Sequence, residues 1–440
     1  MRVGLLAFAG VALTLLALGV GYVAHLVRSF DTPEFKRSLL DRASASAGTR
    51  IDARKVDISL LQGVTLEGVT IANPPPFTGS LVTAEAFVLR YSLWSLLSGR
   101  LELAKLAVEK PVLNLAMDAR GAFNYEKLGG SAPASSTPST SALPIELVIS
   151  KLSLKGARIV MRDPKAALLK VEGADLSSSV RLAGASIAGE GSLRIAVVNL
   201  ADSLFVRGVS APMKASNGAL ALAPVRATLA GGDVRGDATV QLQNGFHFTT
   251  RLTVSGAKLQ KMLEEAKAAQ TASGTVMADA TVEGSGGVTT LKGKGQIQVK
   301  GCKVSHAPLM TLLATALRVP ELAHPEFDEC RTTFTLGGGR LVTPSISLKG
   351  PALQVTGHGV TNLESLSIDY DLTLALGQAL LKRVPAQELR AAFKDRGDGF
   401  STLDFKVTGT TSAPQSDLAM RLGKGAAESG LKKLLHGKIF

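Results

Sequence analysis

The side chains able to do chemistry are few, and they do not assemble into a motif. Six histidines (His25, His247, His306, His324, His358 and His436) are spread over 440 residues, and none shows H-E-x-x-H or another metal-ligand spacing. There is no G-x-S-x-G elbow, no G-x-x-x-x-G-K-[ST] phosphate loop and no G-x-G-x-x-G turn. Ser255-Gly256-Ala257-Lys258 matches S-x-x-K but lacks both companion motifs of that enzyme class, so it reads as coincidence. Glu264 and Glu265 are adjacent, point in different directions on a helix, and suit a solvated face better than acid–base work. The glycine runs Gly284-Ser285-Gly286-Gly287 and Gly337-Gly338-Gly339 fall between strand-like runs and read as turns. The expectation is a protein that is not an enzyme and carries neither metal nor cofactor. Cys302 and Cys330 are the one covalent option. A disulfide between them would enclose 27 residues and contribute about 3–4 kcal/mol, given suitable geometry. It would require an oxidising compartment. The other reading is two free thiols buried as small apolar residues.

Composition narrows the partners. Hydrophobic residues make up 45% of the chain and aromatics only 5%, too apolar for disorder and poor in the stacking platforms that bind single-stranded bases. Lys+Arg 49 against Asp+Glu 36 gives a net charge of +13, which favours anionic partners such as a phospholipid surface or nucleic acid. The basic residues are scattered and no nucleic-acid-binding signature is present. A membrane surface is therefore expected and nucleic acid is not.

Stepping along the chain, Val3 to Ala24 are 22 residues without a charge, about 33 Å of helix and enough to cross a bilayer. The run is too long for a typical cleaved signal peptide, so a retained anchor over 1–30 is expected. Flanking charge alone would keep the following body in the cytoplasm, but long domains translocate regardless of it. Pro33 to Ala47 reads as a helix. Beyond it the pattern is mostly period-two apolar alternation, as in Val56, Ile58 and Leu60, and in the runs Val234–Leu242, Phe246–Val254, Gly274–Val282 and Gly293–Val304. Short alternating runs separated by Gly, Asn and Pro predict antiparallel strands, about two dozen of them. Further helices are expected at Leu259–Ala269, Ala307–Leu317 and Gln378–Phe393, the last interrupted by Pro385. The uncharged Ser/Thr/Ala/Pro stretch 129–144 is a flexible linker. It separates an N-terminal β unit (31–128) from a longer β body (145–412). A basic amphipathic tail (413–440) ends the chain, suited to an anionic membrane surface or to packing on the body.

Several segments, in order, carry a resemblance. After the anchor come Val56-Asp57-Ile58-Ser59-Leu60-Leu61-Gln62-Gly63-Val64-Thr65-Leu66-Glu67-Gly68-Val69, then Tyr91 to Leu101 (YSLWSLLSGRL), then Lys110-Pro111-Val112-Leu113-Asn114-Leu115. Gly121-Ala122-Phe123-Asn124-Tyr125-Glu126-Lys127-Leu128 closes the unit. Farther on stand Gly218 to Leu222, Pro224, Gly231-Gly232 with Val234 and Gly236, and an ending Phe405-Lys406-Val407-Thr408-Gly409-Thr410 with Pro414. This succession resembles the AsmA-like family of Gram-negative envelope proteins over most of the chain.

The resemblance implies an inner-membrane, single-pass anchor with the bulk of the chain in the periplasm. It also implies a mainly β fold: a long curved antiparallel sheet with an apolar groove and a few short helices. The implied function is binding or conducting phospholipids through that groove between envelope membranes. The alternative is a non-enzymatic scaffold assisting outer-membrane protein assembly, with other envelope proteins as partners. Alternation by itself fits a closed sandwich core as well as an open groove. Candidate lining residues are Val82, Phe87, Leu89, Leu103, Val240, Leu242, Phe248, Leu252 and Val254, each of which also fits an ordinary core position.

Overall fold

The computed structural model describes residues 33–59, 63–92, 101–118, 122–128, 147–162, 167–183, 186–216, 218–241, 247–268, 271–285, 288–305 and 308–423. The predicted anchor, the 129–144 linker and residues 424–440 of the predicted tail lie outside these. Among the described residues no helix is long and apolar enough to cross a membrane. The protein is mainly β, with 22 described strands and a few short helices. Two compact units emerge: residues 1–228 with 236–248, and residues 229–235 with 249–440.

The first unit begins with α1 (Pro33–Ala47), followed by β1 (Ile51–Ser59), β2 (Gly63–Ala72) and β3 (Ser80–Arg90). Three short strands follow, β4 (Leu101–Leu103), β5 (Lys105–Glu109) and β6 (Val112–Ala116). Four long ones come next: β7 (Leu147–Arg162), β8 (Ala167–Ala183), β9 (Ser186–Leu200) and β10 (Leu204–Ser216). β1, β2 and β3 form an antiparallel ladder, and β3 continues antiparallel onto β5 and β6. β7, β8, β9 and β10 form a second antiparallel run. The join is parallel: β4, β5 and β6 each pair in parallel with β7. Parallel neighbours need a crossover of a dozen or more residues, and the segment from 117 to 146 supplies that length. The strands on either side of the Ser/Thr/Pro stretch are thus hydrogen-bonded neighbours, and the two compact units meet over residues 229–248.

Asn124, in the segment that closes the β1–β6 region, is fully buried. Its amide donates to Asn73 Oδ1 (2.7 Å) and to the Asn114 carbonyl (2.8 Å), and its carbonyl accepts from the backbone of Ala116 and Tyr125. Four partners satisfy the side chain and tie the β6 end to the loop after β2.

β11 (Ala219–Leu229), β12 (Gly232–Gln241) and β13 (His247–Lys258) follow, with β12 and β13 running across the unit boundary. The second unit continues with α2 (Leu259–Glu265), β14 (Thr271–Gly284), β15 (Lys292–Ser305) and α3 (Pro308–Leu317). Then come β16 (Glu326–Gly337), β17 (Arg340–Lys349), β18 (Leu353–Asn362) and β19 (Ile368–Gly377). Pro385 divides the next helical stretch into α4 (Gln378–Leu381) and α5 (Gln387–Arg390). β20 (Lys394–Asp395), β21 (Phe400–Gly409), β22 (Pro414–Ser416) and α6 (Leu418–Gly423) complete the described chain. Each strand from β14 to β19 pairs antiparallel with the next, and β21 pairs with β19, β20 and β22. The run Gly337-Gly338-Gly339 forms the tight turn of the β16–β17 hairpin, as its position between strands predicts.

Candidate functional site

Register turns the alternating pattern into continuous apolar rows. In the first unit one row runs Val56–Leu66–Phe87–Val108–Leu154–Leu176–Leu193–Ala211, crossing eight strands. A second runs Ile51–Ile71–Val82–Leu113–Ile159–Val171–Val198–Val206 across the same number. At about 4.8 Å between neighbours, each spans roughly 34 Å. The opposite face carries pairs such as Asp175 beside Arg194 and Glu190 beside Lys214.

The two ends of these rows are covered differently. At the β1–β3 end, Ala43 and Ala47 of α1 pack with Ile51, Ile71, Leu81, Val82 and Leu128. Toward β9 and β10 the side chains Leu176, Leu193, Ile195, Val198, Val206 and Val209 stay half-exposed. Half-exposed aliphatic rows bury little on their own and leave a surface that an apolar ligand can complete.

Val82, Phe87, Leu89 and Leu103 all lie on this apolar face, and the register brings them into its rows. Leu89 and Leu103 are enclosed with Leu106, Leu147 and Ile149, Leu103 completely so. Val82 sits under α1 and is also buried, while Phe87 is half-buried between two clusters. These three buried residues are therefore core in the described structure, the second of the two roles open to them. Val240 on β12, and Phe248, Leu252 and Val254 sharing one face of β13, remain half-buried. Leu242 lies outside the described residues.

A separate concave site lies wholly within the second unit. A cleft of ≈ 420 Å³ is lined chiefly by apolar side chains of β15, β16 and β17, among them Ile297, Val299, Val304, Phe327, Ile346 and Leu348. Its size falls in the usual range for small-ligand sites, about 300–1,000 Å³. Beside it the same face is capped: α3, α4, α5 and α6 contribute Leu313, Leu317, Leu380, Leu381, Leu389, Leu418 and Leu422 to one cluster with Phe327, Val355, Leu374 and Leu403. A polar spot interrupts the cleft wall. The Tyr370 hydroxyl lies 2.9 Å from Thr361 Oγ1 and 3.5 Å from Thr343 Oγ1, both threonines being buried. The Tyr370 ring crosses Gly359, where any Cβ would collide with it.

Cys302 and Cys330 also line this cleft, both as free thiols. The hydrogen bond between the two side chains lowers Cys302 to about 7, against the opposing effect of burial. That same bond, burial and the negative charges of Cys302 and Glu329 push Cys330 upward. The two sulfurs are thus unequal, Cys302 the easier to ionise and Cys330 the harder.

Sequence reasoning identified the strands of this second site but not the site. The alternation Ile297–Val299 and Cys302–Val304 was a usable signal. The partners Ile346, Leu348 and Tyr370 come from hairpins whose register and bulges the pattern does not disclose. Among the described residues no three His, Cys, Asp or Glu side chains stand close enough to hold a metal.

No curated protein and no solved structure matches the chain. The sequence profile of the AsmA family matches residues 1–194 and 181–296, which takes in the anchor-like segment, the eight-strand rows and the strands up to β15. With about two thirds of its length so matched, the chain belongs to the AsmA family.

Proposed function

We propose that this protein is a membrane-anchored, non-enzymatic handler of phospholipids, with its body in the periplasm of a Gram-negative envelope and its N-terminal segment in the inner membrane. Acyl chains lie along the apolar face of the β-sheet and move between envelope membranes on it. The observation that carries the reading is the pair of apolar rows crossing eight strands, with Leu176, Leu193, Val198 and Val206 left half-exposed on β8, β9 and β10. Continuous aliphatic surface is all that an acyl chain requires of its carrier, since transfer from water is driven by apolar area and not by directed bonds. Family membership and the surplus of 13 positive charges point the same way.

The test uses the full-length protein with a photocrosslinking residue at Ile195 or Val209, on the apolar face, and at Arg194 or Ser210, on the polar face. Phospholipid should be captured from the first pair and not the second, and lipid should co-purify in amounts comparable to protein. Equal capture from both faces, or none from either, overturns the reading.

A further inference from the structure

We propose that Cys302 and Cys330 form a reactive dithiol that closes to an intramolecular disulfide, cross-linking β15 to β16 beneath the second-unit cleft. The backbone brings the two together in a way simple alternation would not. On β15, Lys300 and Gly301 are exposed in succession, with Gly301 at φ 61°, so Cys302 returns to the face of Val299. On β16, Phe327 and Cys330 are both buried although three residues apart. Val299 pairs with Cys330 and Cys302 with Phe327, and with both cysteines on the buried face their side chains come within hydrogen-bond reach of each other. Both thiols are 7% exposed, and the surface they show lines the cleft. The chain has only these two cysteines, so within one molecule each can bridge only to the other.

The roles of the two sulfurs differ. Cys302, lowered to about 7, is the attacking thiolate, and Cys330, held protonated, is the resolving thiol. The oxidant is a disulfide, either a protein disulfide donor or a small one such as oxidised glutathione. Cys302 Sγ attacks one sulfur of the donor, forming a mixed disulfide and releasing one donor thiolate. Cys330 then loses its proton and attacks the Cys302 sulfur, forming the Cys302–Cys330 bond and releasing the second donor thiolate. Two electrons pass to the donor, and the protons of the two cysteines end on its two thiols. Nothing in these steps requires that the cleft bind lipid.

The experiment incubates the full-length protein with excess oxidised glutathione, quenches in acid, denatures, and counts free thiols by maleimide mass tagging. The expected result is a monomer two hydrogens lighter, with no tag before reduction and two tags after it. In Cys330→Ala the reaction should stop with one glutathione on Cys302. In Cys302→Ala, Cys330 should react about tenfold more slowly. A wild-type chain that keeps two free thiols, carries two glutathiones, or links to a second chain overturns the proposal. Because the wild-type count decides the bond, poor folding of either variant does not obscure the answer, and lipid content measured on the same sample reports separately on the proposed function.

Discussion

The β7–β10 region of the first unit and the β18–β21 region of the second are made from the same material, alternating strands with one aliphatic face. In the first, the Leu154–Leu176–Leu193 row stays half-exposed over most of its length. In the second, the Val355–Leu374–Leu403 row is buried, because α4, α5 and α6 arrive after β19 and β21 and cap it. What differs is the supply of helices between strands. Among the described residues no helix stands between β7 and β13, whereas the 46 residues 378–423 contain three short helices. The same alternation therefore yields a half-exposed apolar face in one region and an ordinary core in the other.

The largest expected effect tests this contrast directly. Leu374→Ala removes a fully enclosed side chain and should cost about 3–5 kcal/mol, whereas Leu193→Ala on the half-exposed row should cost about 1 kcal/mol. Denaturant unfolding with hydrogen exchange read separately for each unit measures both, and equal costs would erase the distinction. Next in size is Asn124→Leu, which leaves the Asn73 and Asn114 oxygens and two backbone donors without their partner. About 2–3 kcal/mol of destabilisation is expected, seen as exchange confined to the first unit.

Asp417 gives a smaller, pH-dependent test of the capped region. Burial opposes its charge, but the Lys406 backbone N–H at 2.6 Å and Arg421 at 2.7 Å outweigh that and hold the carboxyl below its ordinary value of 3.8. A depressed folded value means that the stabilisation is complete above the unfolded value and is lost as pH falls through the folded one. Melting temperature should thus drop as pH falls below about 4 in the native protein and less steeply in Asp417→Asn. A parallel pair of curves would remove the carboxylate from the account.

The smallest effect on stability carries the largest functional weight. Ile195→Lys places a charge on a half-exposed position and should change stability by under about 1 kcal/mol, yet it should cut phospholipid crosslinking at Val209 severalfold. Retained capture would detach the row from lipid handling.

Much of this was legible in the chain before folding. Pro33–Ala47 is a helix over the expected residues, Pro385 divides the late helical stretch, and the runs at Val234, Phe246, Gly274 and Gly293 are strands with ends shifted by a few residues. Alternation and proline chemistry act over neighbouring residues, so they can be read locally. The rows could not be read in this way. Phe87 meets Val108 through an antiparallel ladder, and Val108 meets Leu154 through a parallel one spanning the linker. No spacing rule connects those positions, because pairing across a long connection is set by which faces bury together.

The sequence by itself determined that this is a β-rich, aliphatic, positively charged chain with a membrane-length apolar start and AsmA-like segments in order. Only the tertiary structure decided which aliphatic residues are core and which are surface: Val82 is buried in a cluster with α1 and Leu128, whereas Leu193 stays half-exposed. It also placed Cys302 beside Cys330, where Gly301 resets the alternation of β15 and the antiparallel β15–β16 pairing brings the two buried positions close. Burial and cross-strand proximity depend on elements far apart in the chain, and local pattern holds no record of them.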